Sequence, residues 1–159
     1  MRATLRDAAL AARLLVPLAL AASLPLAARA ARAEGSAGAV LSARLVGLRN
    51  DHGKVGCALY ASEKGFPRDR GAAVQVRWCA IGGTESSCAF APIPAGTYAV
   101  VCFHDENDNG QLDTGAFGIP TEGVVASNHA KGFLGPPSFK DAKLPFPGTP
   151  TEIRLRMGY

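Results

Sequence analysis

The chain reads as an all-β protein, and three observations carry that reading. Short apolar runs alternate with polar residues at period two; Gly, Pro, Asn and Asp punctuate them; and no stretch beyond residue 33 sustains a helical period. Strands of this length and spacing favour a single antiparallel β-sandwich of about seven strands. One long connection, acidic at its start and rich in Pro and Gly towards its end, interrupts the pattern between Asp105 and Asp141.

Residues 1–33 stand apart from that fold. Arg2, Arg6 and Arg13 precede an apolar run, Leu14 to Ala28, that leads into Ala28-Arg29-Ala30 and Ala31-Arg32-Ala33. This is the three-part pattern of a secretory signal peptide, with cleavage expected after Ala33. A membrane anchor is the weaker alternative, because the run is about 15 residues, short of the ~20 that span a bilayer, and Pro17 and Pro25 break it. No Cys follows to carry a lipid. Residues 34–159 are then one exported domain, periplasmic or extracellular, large enough for one core. Five of the 17 basic residues and one of the 13 acids fall in the leader, leaving twelve of each. The balanced remainder gives no support to a nucleic-acid or acidic-membrane partner.

The expected strands are Ala39 to Leu48, Lys54 to Ala61, Ala73 to Cys79, Ser87 to Phe90, Thr97 to His104 and Glu152 to Met157. In the last, Ile153, Leu155 and Met157 alternate with Arg154 and Arg156. Pro94-Ala95-Gly96-Thr97-Tyr98 is a turn feeding a strand that begins with Tyr. It resembles the corner of immunoglobulin-like sandwiches, and it puts Tyr98, Val100 and Cys102 on one face.

The cysteines, Cys57, Cys79, Cys88 and Cys102, all lie in the exported part, and an even count there argues for two disulfides, although three pairings are open. Cys79 and Cys88 flank Ile81-Gly82-Gly83-Thr84 and could staple a hairpin; Cys57 and Cys102 could pair across the core. With no C-x-x-C, a zinc site is not indicated. Trp78 is expected to pack over a bridge, and Arg68-Asp69-Arg70 to form a solvated turn.

At the end of the Tyr98 strand the sequence turns to Asp, Asn and Gly. Asp105, Asn107, Asn109 and Asp113 occupy positions 1, 3, 5 and 9 of an EF-hand calcium loop, Gly110 position 6, and the Gln111 carbonyl position 7. Short oxygen-bearing side chains at alternate positions point into one concavity, and the glycine permits the bend. Position 12 is Ala116 where a bidentate Glu belongs, so Glu122 is the best substitute. The expectation is a Ca2+ loop grafted onto a strand; the competing reading is a metal-free connection built from Asx turns.

Several ordered motifs resemble a bacterial exported family catalogued as domain of unknown function 2141. They are Gly65-Phe66-Pro67, Pro94 to Ala99, His104-Asp105-Glu106-Asn107 with Asn109-Gly110 and Asp113, Gly118-Ile119-Pro120 with Glu122-Gly123, Ser127-Asn128, and Gly135-Pro136-Pro137-Ser138-Phe139. The resemblance implies a small sandwich similar to transthyretin-like modules and says little about activity. Where the family pattern continues Glu-Gly-Tyr-Gly, this chain has Glu122-Gly123-Val124-Val125.

Two functional expectations follow. The first is a non-enzymatic module whose calcium-ordered loop serves binding or cell-envelope structure, with a protein or envelope ligand as partner. The second is a small-molecule-binding protein or hydrolase with a pocket formed by His104, Asp105, Glu122 and His129, joined by Ser127 and Asn128. The residue types of a Ser-His-Asp triad are present, but no G-x-S-x-G elbow surrounds Ser127, which argues against an enzyme. Phe139, after a rigid Pro-Pro corner, is expected to lie over the loop.

Overall fold

A strand whose residues alternate in polarity must lie between core and solvent, and Glu85–Ile93 and Thr151–Arg156 do so, whereas Lys54–Tyr60 is buried on both faces. The computed structural model describes residues 38–133 and 135–159; the expected signal peptide lies outside them. The elements in order are β1 (Ala39–Val46), β2 (Lys54–Tyr60), β3 (Gln75–Cys79), β4 (Ile81–Gly82), β5 (Glu85–Ile93), β6 (Gly96–Asp105), β7 (Val124–Ala126), a one-turn helix α1 (Phe139–Ala142), β8 (Leu144–Phe146) and β9 (Thr151–Arg156). One sheet has the order β4-β5-β1-β9 and the other β3-β2-β6-β7, with β8 paired to the first residues of β6.

The fold is the expected all-β sandwich, with two differences. Nine strands are present among the described residues instead of about seven, because β4, β7 and β8 have three residues or fewer, too short to set a period. The pairing is antiparallel except for β1 with β9, which run parallel from Leu41 opposite Thr151 to Val46 opposite Arg156. A parallel neighbour needs a long crossover, and the chain makes one by passing through the whole second sheet before returning to the free edge of β1.

Between the sheets, Leu41, Leu45 and Leu155 pack with Val55, Leu59, Phe90 and Val100, all almost fully buried. Each contributes about 1.5–3 kcal/mol of apolar burial. Tyr98 closes the corner as expected, its hydroxyl donating to the Pro94 carbonyl at 3.1 Å.

The two disulfides form with their expected roles exchanged. Cys57 and Cys102 are opposite one another on the adjacent strands β2 and β6, Cα atoms 4.1 Å apart, so their bridge lies within one sheet. Cys79 ends β3 in one sheet and Cys88 sits in β5 of the other, so it is this bridge, not Cys57–Cys102, that crosses between sheets. The hairpin it was expected to staple is instead β4–β5, which lies wholly to one side of Cys79.

The outward face of the β3-β2-β6-β7 sheet is divided. At one end Ala99, Ala126 and Ala142 form a second small core with Phe66 and Phe139. Phe66 meets Tyr60 edge to face at 5.2 Å and Phe139 at 5.8 Å. Phe139 therefore covers the sheet and not the acidic loop, because Ser138 caps α1 and sets the helix against β6 and the turn after β7. Among the described residues, the other end of this face carries no such cover.

Candidate functional site

The acidic loop begins where β6 ends. Asp105 is fully buried, and its two carboxylate oxygens accept the backbone N–H groups of Asn109 at 2.9 Å and Gly110 at 2.8 Å. Gly110 takes the left-handed conformation, φ 76°, that this bend requires. Glu122, 5% exposed, likewise spends one oxygen on the N–H of Glu106 at 2.8 Å and the other on that of Asp113 at 3.0 Å. Two buried carboxylates thus satisfy four backbone donors of the loop through charge-assisted hydrogen bonds. Lys54 answers the charge, forming ion pairs with Asp105 and Asp108.

Asn107, Asn109 and Asp113 gather at the outer side of the same loop. Asp113 accepts from the Asn107 amide at 2.7 Å and from the Asn109 amide at 3.0 Å, while the Asn oxygens accept the N–H groups of Asn109 and Gln111. The positions of the calcium pattern are therefore brought together, but in two groups. Asp105 and Glu122 are turned inward and accept backbone N–H groups; Asp113, Asn107 and Asn109 lie on the outer side, where their side-chain oxygens are taken up by one another's amides and by the backbone. The Gln111 side chain is exposed. Among the described residues, no group of three or more His, Cys, Asp or Glu side chains is arranged to hold a metal ion.

The residues of the proposed catalytic pocket do not converge. His104 is fully buried on the core face of β6, with Nδ1 2.7 Å from the Tyr159 hydroxyl and Nε2 2.9 Å from the His52 carbonyl oxygen. A carbonyl only accepts, so Nε2 carries the proton and the Tyr159 hydroxyl donates to Nδ1. Ser127, also fully buried, accepts the Val100 N–H at 2.9 Å and donates to the Ala142 carbonyl at 2.6 Å, tying β6 to α1. Asn128 donates to the Lys143 carbonyl at 2.7 Å. His129 is exposed at the end of the turn Ser127–His129 and lines the cleft described below, as Glu122 does.

Beside His104, Glu106 is bound by Arg49 and Asn50. Burial pushes its carboxyl up, but those hydrogen bonds outweigh burial and hold it below the usual carboxylate range. The Tyr159 hydroxyl is raised by burial in the same cluster.

An open cleft of about 1640 Å³ lies over the uncovered half of the outer sheet face. Its floor is Gly56 and Ala58 of β2, Val76 and Trp78 of β3, Val101 and Phe103 of β6 and Val124 of β7. One wall is the far side of the acidic loop, with Phe117 and Ile119; the other is the segment after β7, with Phe133. Gly56 makes the floor: a Cβ there would come within 2.6 Å of the Phe103 ring and 2.7 Å of the Trp78 ring. Those rings meet edge to face at 5.6 Å. Trp78 thus faces outward, 42% exposed, and does not pack over the bridge of its neighbour Cys79. Successive residues of a strand point to opposite faces, which is the signal that could have placed it. Phe117 and Phe133 are 99% and 95% exposed at the rim, Phe117 from a left-handed backbone with φ 62°. Arg68-Asp69-Arg70 is the solvated turn expected, with Arg70 also reaching the Trp78 and Phe103 rings.

Fold and site together define a disulfide-bridged, two-sheet β-sandwich domain with a loop-walled cleft on one sheet. The chain belongs to the family described as "uncharacterized protein conserved in bacteria (DUF2141)", whose model matches residues 44–154 and so takes in the acidic loop and the floor of the cleft. No curated protein and no solved structure matches the chain. Among the described residues, no helix is long and apolar enough to cross a membrane.

Proposed function

We propose that this domain is a non-enzymatic binding module, exported to an oxidising compartment, that holds a small, largely apolar ligand in the cleft over β3-β2-β6-β7. The observation that carries the reading is the floor: the Trp78–Phe103 pair, laid over Gly56 where no Cβ intervenes, presents an apolar surface walled by two long loops with exposed aromatic tips. Ligand sites have this character, predominantly apolar with a few polar groups. Ser127 and His104, both consumed by structural hydrogen bonds, support binding over catalysis. The two disulfides and the leader pattern support export.

The test is titration with Nile red, an uncharged apolar dye that brightens in apolar surroundings. The domain is expected to bind it, and a Phe117→Ser, Phe133→Ser double variant, altered only at exposed rings, to bind it several-fold more weakly with an unchanged melting temperature. A domain that leaves the dye dark would sink the reading. Export predicts a processed product that begins at Glu34.

A second proposal concerns the loop. Asp113 with Asn107 and Asn109 would hold a Ca2+ weakly, and the ion would stiffen the wall of the cleft. The gathering of those three side chains at one carboxylate supports it.

A further inference from the structure

The cleft is apolar at its floor but its charged lining is one-sided. Arg68, Arg70, Lys131 and Arg156 line it, whereas Glu122 is the one carboxylate among its described lining residues. Glu122 offers a ligand nothing, since both its oxygens are bound by the loop's own amides. None of the four cations forms an ion pair among the described residues, in contrast to Arg44, Arg49 and Lys54, the last of which also stands 4.6 Å over the Trp78 ring of the floor. Asp69, between the two arginines, is engaged in its own turn by accepting the Gly71 N–H at 2.9 Å. The guanidinium of Arg70 stands 5.6 Å from the Trp78 ring centroid and 5.8 Å from that of Phe103, so positive charge without an ion-pair partner meets the apolar floor directly. A guanidinium offers a planar fork of donors that a carboxylate accepts in pairs.

We infer that the ligand is an amphipathic monoanion of the fatty-acid type, its carboxylate paired with Arg68 and Arg70 and its hydrocarbon chain lying on the floor beneath Phe117 and Phe133. The inference rests on the reading of the cleft as a binding site and adds the chemical class. An uncharged amphiphile would offer the two guanidinium groups no charge to pair with. A cationic one would be repelled by all four lining cations.

Trp78 is the sole tryptophan of the chain and part of the floor, so its fluorescence reports on the cleft. Dodecanoate, dodecanol and dodecyltrimethylammonium, each below its micellar concentration, are titrated against the full domain with disulfides intact. Dodecanoate is expected to quench Trp78 and to bind at least about tenfold more tightly than the ammonium. The R68Q/R70Q variant, changed at two exposed side chains, should weaken dodecanoate about tenfold, the worth of one charge-assisted hydrogen bond, and leave dodecanol unaltered. Equal binding of all three amphiphiles, with Nile red bound as well, would overturn the anionic class and leave the cleft reading standing. Failure of Nile red and of every amphiphile would remove both. A parallel arm sediments the domain with phosphatidylglycerol vesicles: sedimentation without quenching by dodecanoate would assign the same anionic, apolar chemistry to a lipid surface and overturn the soluble ligand.

Discussion

Glu122 and Asp113 are joined through the backbone of the loop: the Glu122 Oε2 accepts the Asp113 N–H at 3.0 Å while its Oε1 accepts the Glu106 N–H at 2.8 Å. One buried carboxylate thereby pins both the start and the middle of the connection that walls the cleft. Replacing it by alanine orphans two backbone donors in a poorly hydrated place. Glu122→Ala is expected to cost about 2–3 kcal/mol of unfolding free energy in urea, with Glu122→Gln intermediate because it keeps one acceptor oxygen. A cost within a few tenths of a kcal/mol would show that solvent satisfies those amides.

Acid should loosen the same region through Glu106. Its folded-state carboxyl lies below its ordinary value, so its contribution to stability is complete above about pH 4.5 and is lost as pH falls through the folded value. The measurement is melting temperature against pH for the wild type and Glu106→Gln. The variant should be the less stable at neutral pH and should lose less of its stability on acidification; parallel curves would argue against the assignment.

The two disulfides close loops of different length, with sequence separations of 45 for Cys57–Cys102 and 9 for Cys79–Cys88. On the chain-entropy account, replacing the first pair by Ser or Ala costs about 4 kcal/mol and the second about 2.6 kcal/mol. Equilibrium unfolding of the two double variants gives the order. A larger loss from Cys79–Cys88 would mean that linking the sheets matters more than restricting the unfolded chain.

Calcium, if bound at Asp113, stabilises the folded domain alone. At ~100 times its dissociation constant it should add about 2.7 kcal/mol relative to EDTA, an increment that Asp113→Ala abolishes. A melting temperature indifferent to millimolar calcium would leave the loop as an assembly of hydrogen bonds.

Particular residues explain how far the sequence was legible. The long strands were, since Leu41, Ala43 and Leu45, or Tyr98, Val100 and Cys102, reach the core at period two. The direction of β9 was not, because alternation is the same whichever way a strand runs. Nor was the pairing of Cys57 with Cys102 inside one sheet, which depends on β2 and β6 being neighbours. At the loop the residue types were legible, but Asp105 and Glu122 proved to answer backbone amides, a destination that spacing does not encode. The floor of the cleft left its faintest trace in Gly56: a glycine within an apolar strand often marks a close approach, here by the rings of Phe103 and Trp78.

The parallel seam between β1 and β9 carries a consequence for the order of assembly. β1 is interior to its sheet only when Thr151–Arg156 is in place; before that, one side of Leu41–Val46 is an unpaired row of amides and carbonyls. Residues 39–46 must therefore wait for a partner about 110 positions later, a long-range closure of the kind that slows folding. Nascent chains shorter than this would display an adhesive strand edge open to another copy, so a truncation before Thr151 should yield aggregates in place of a smaller soluble domain.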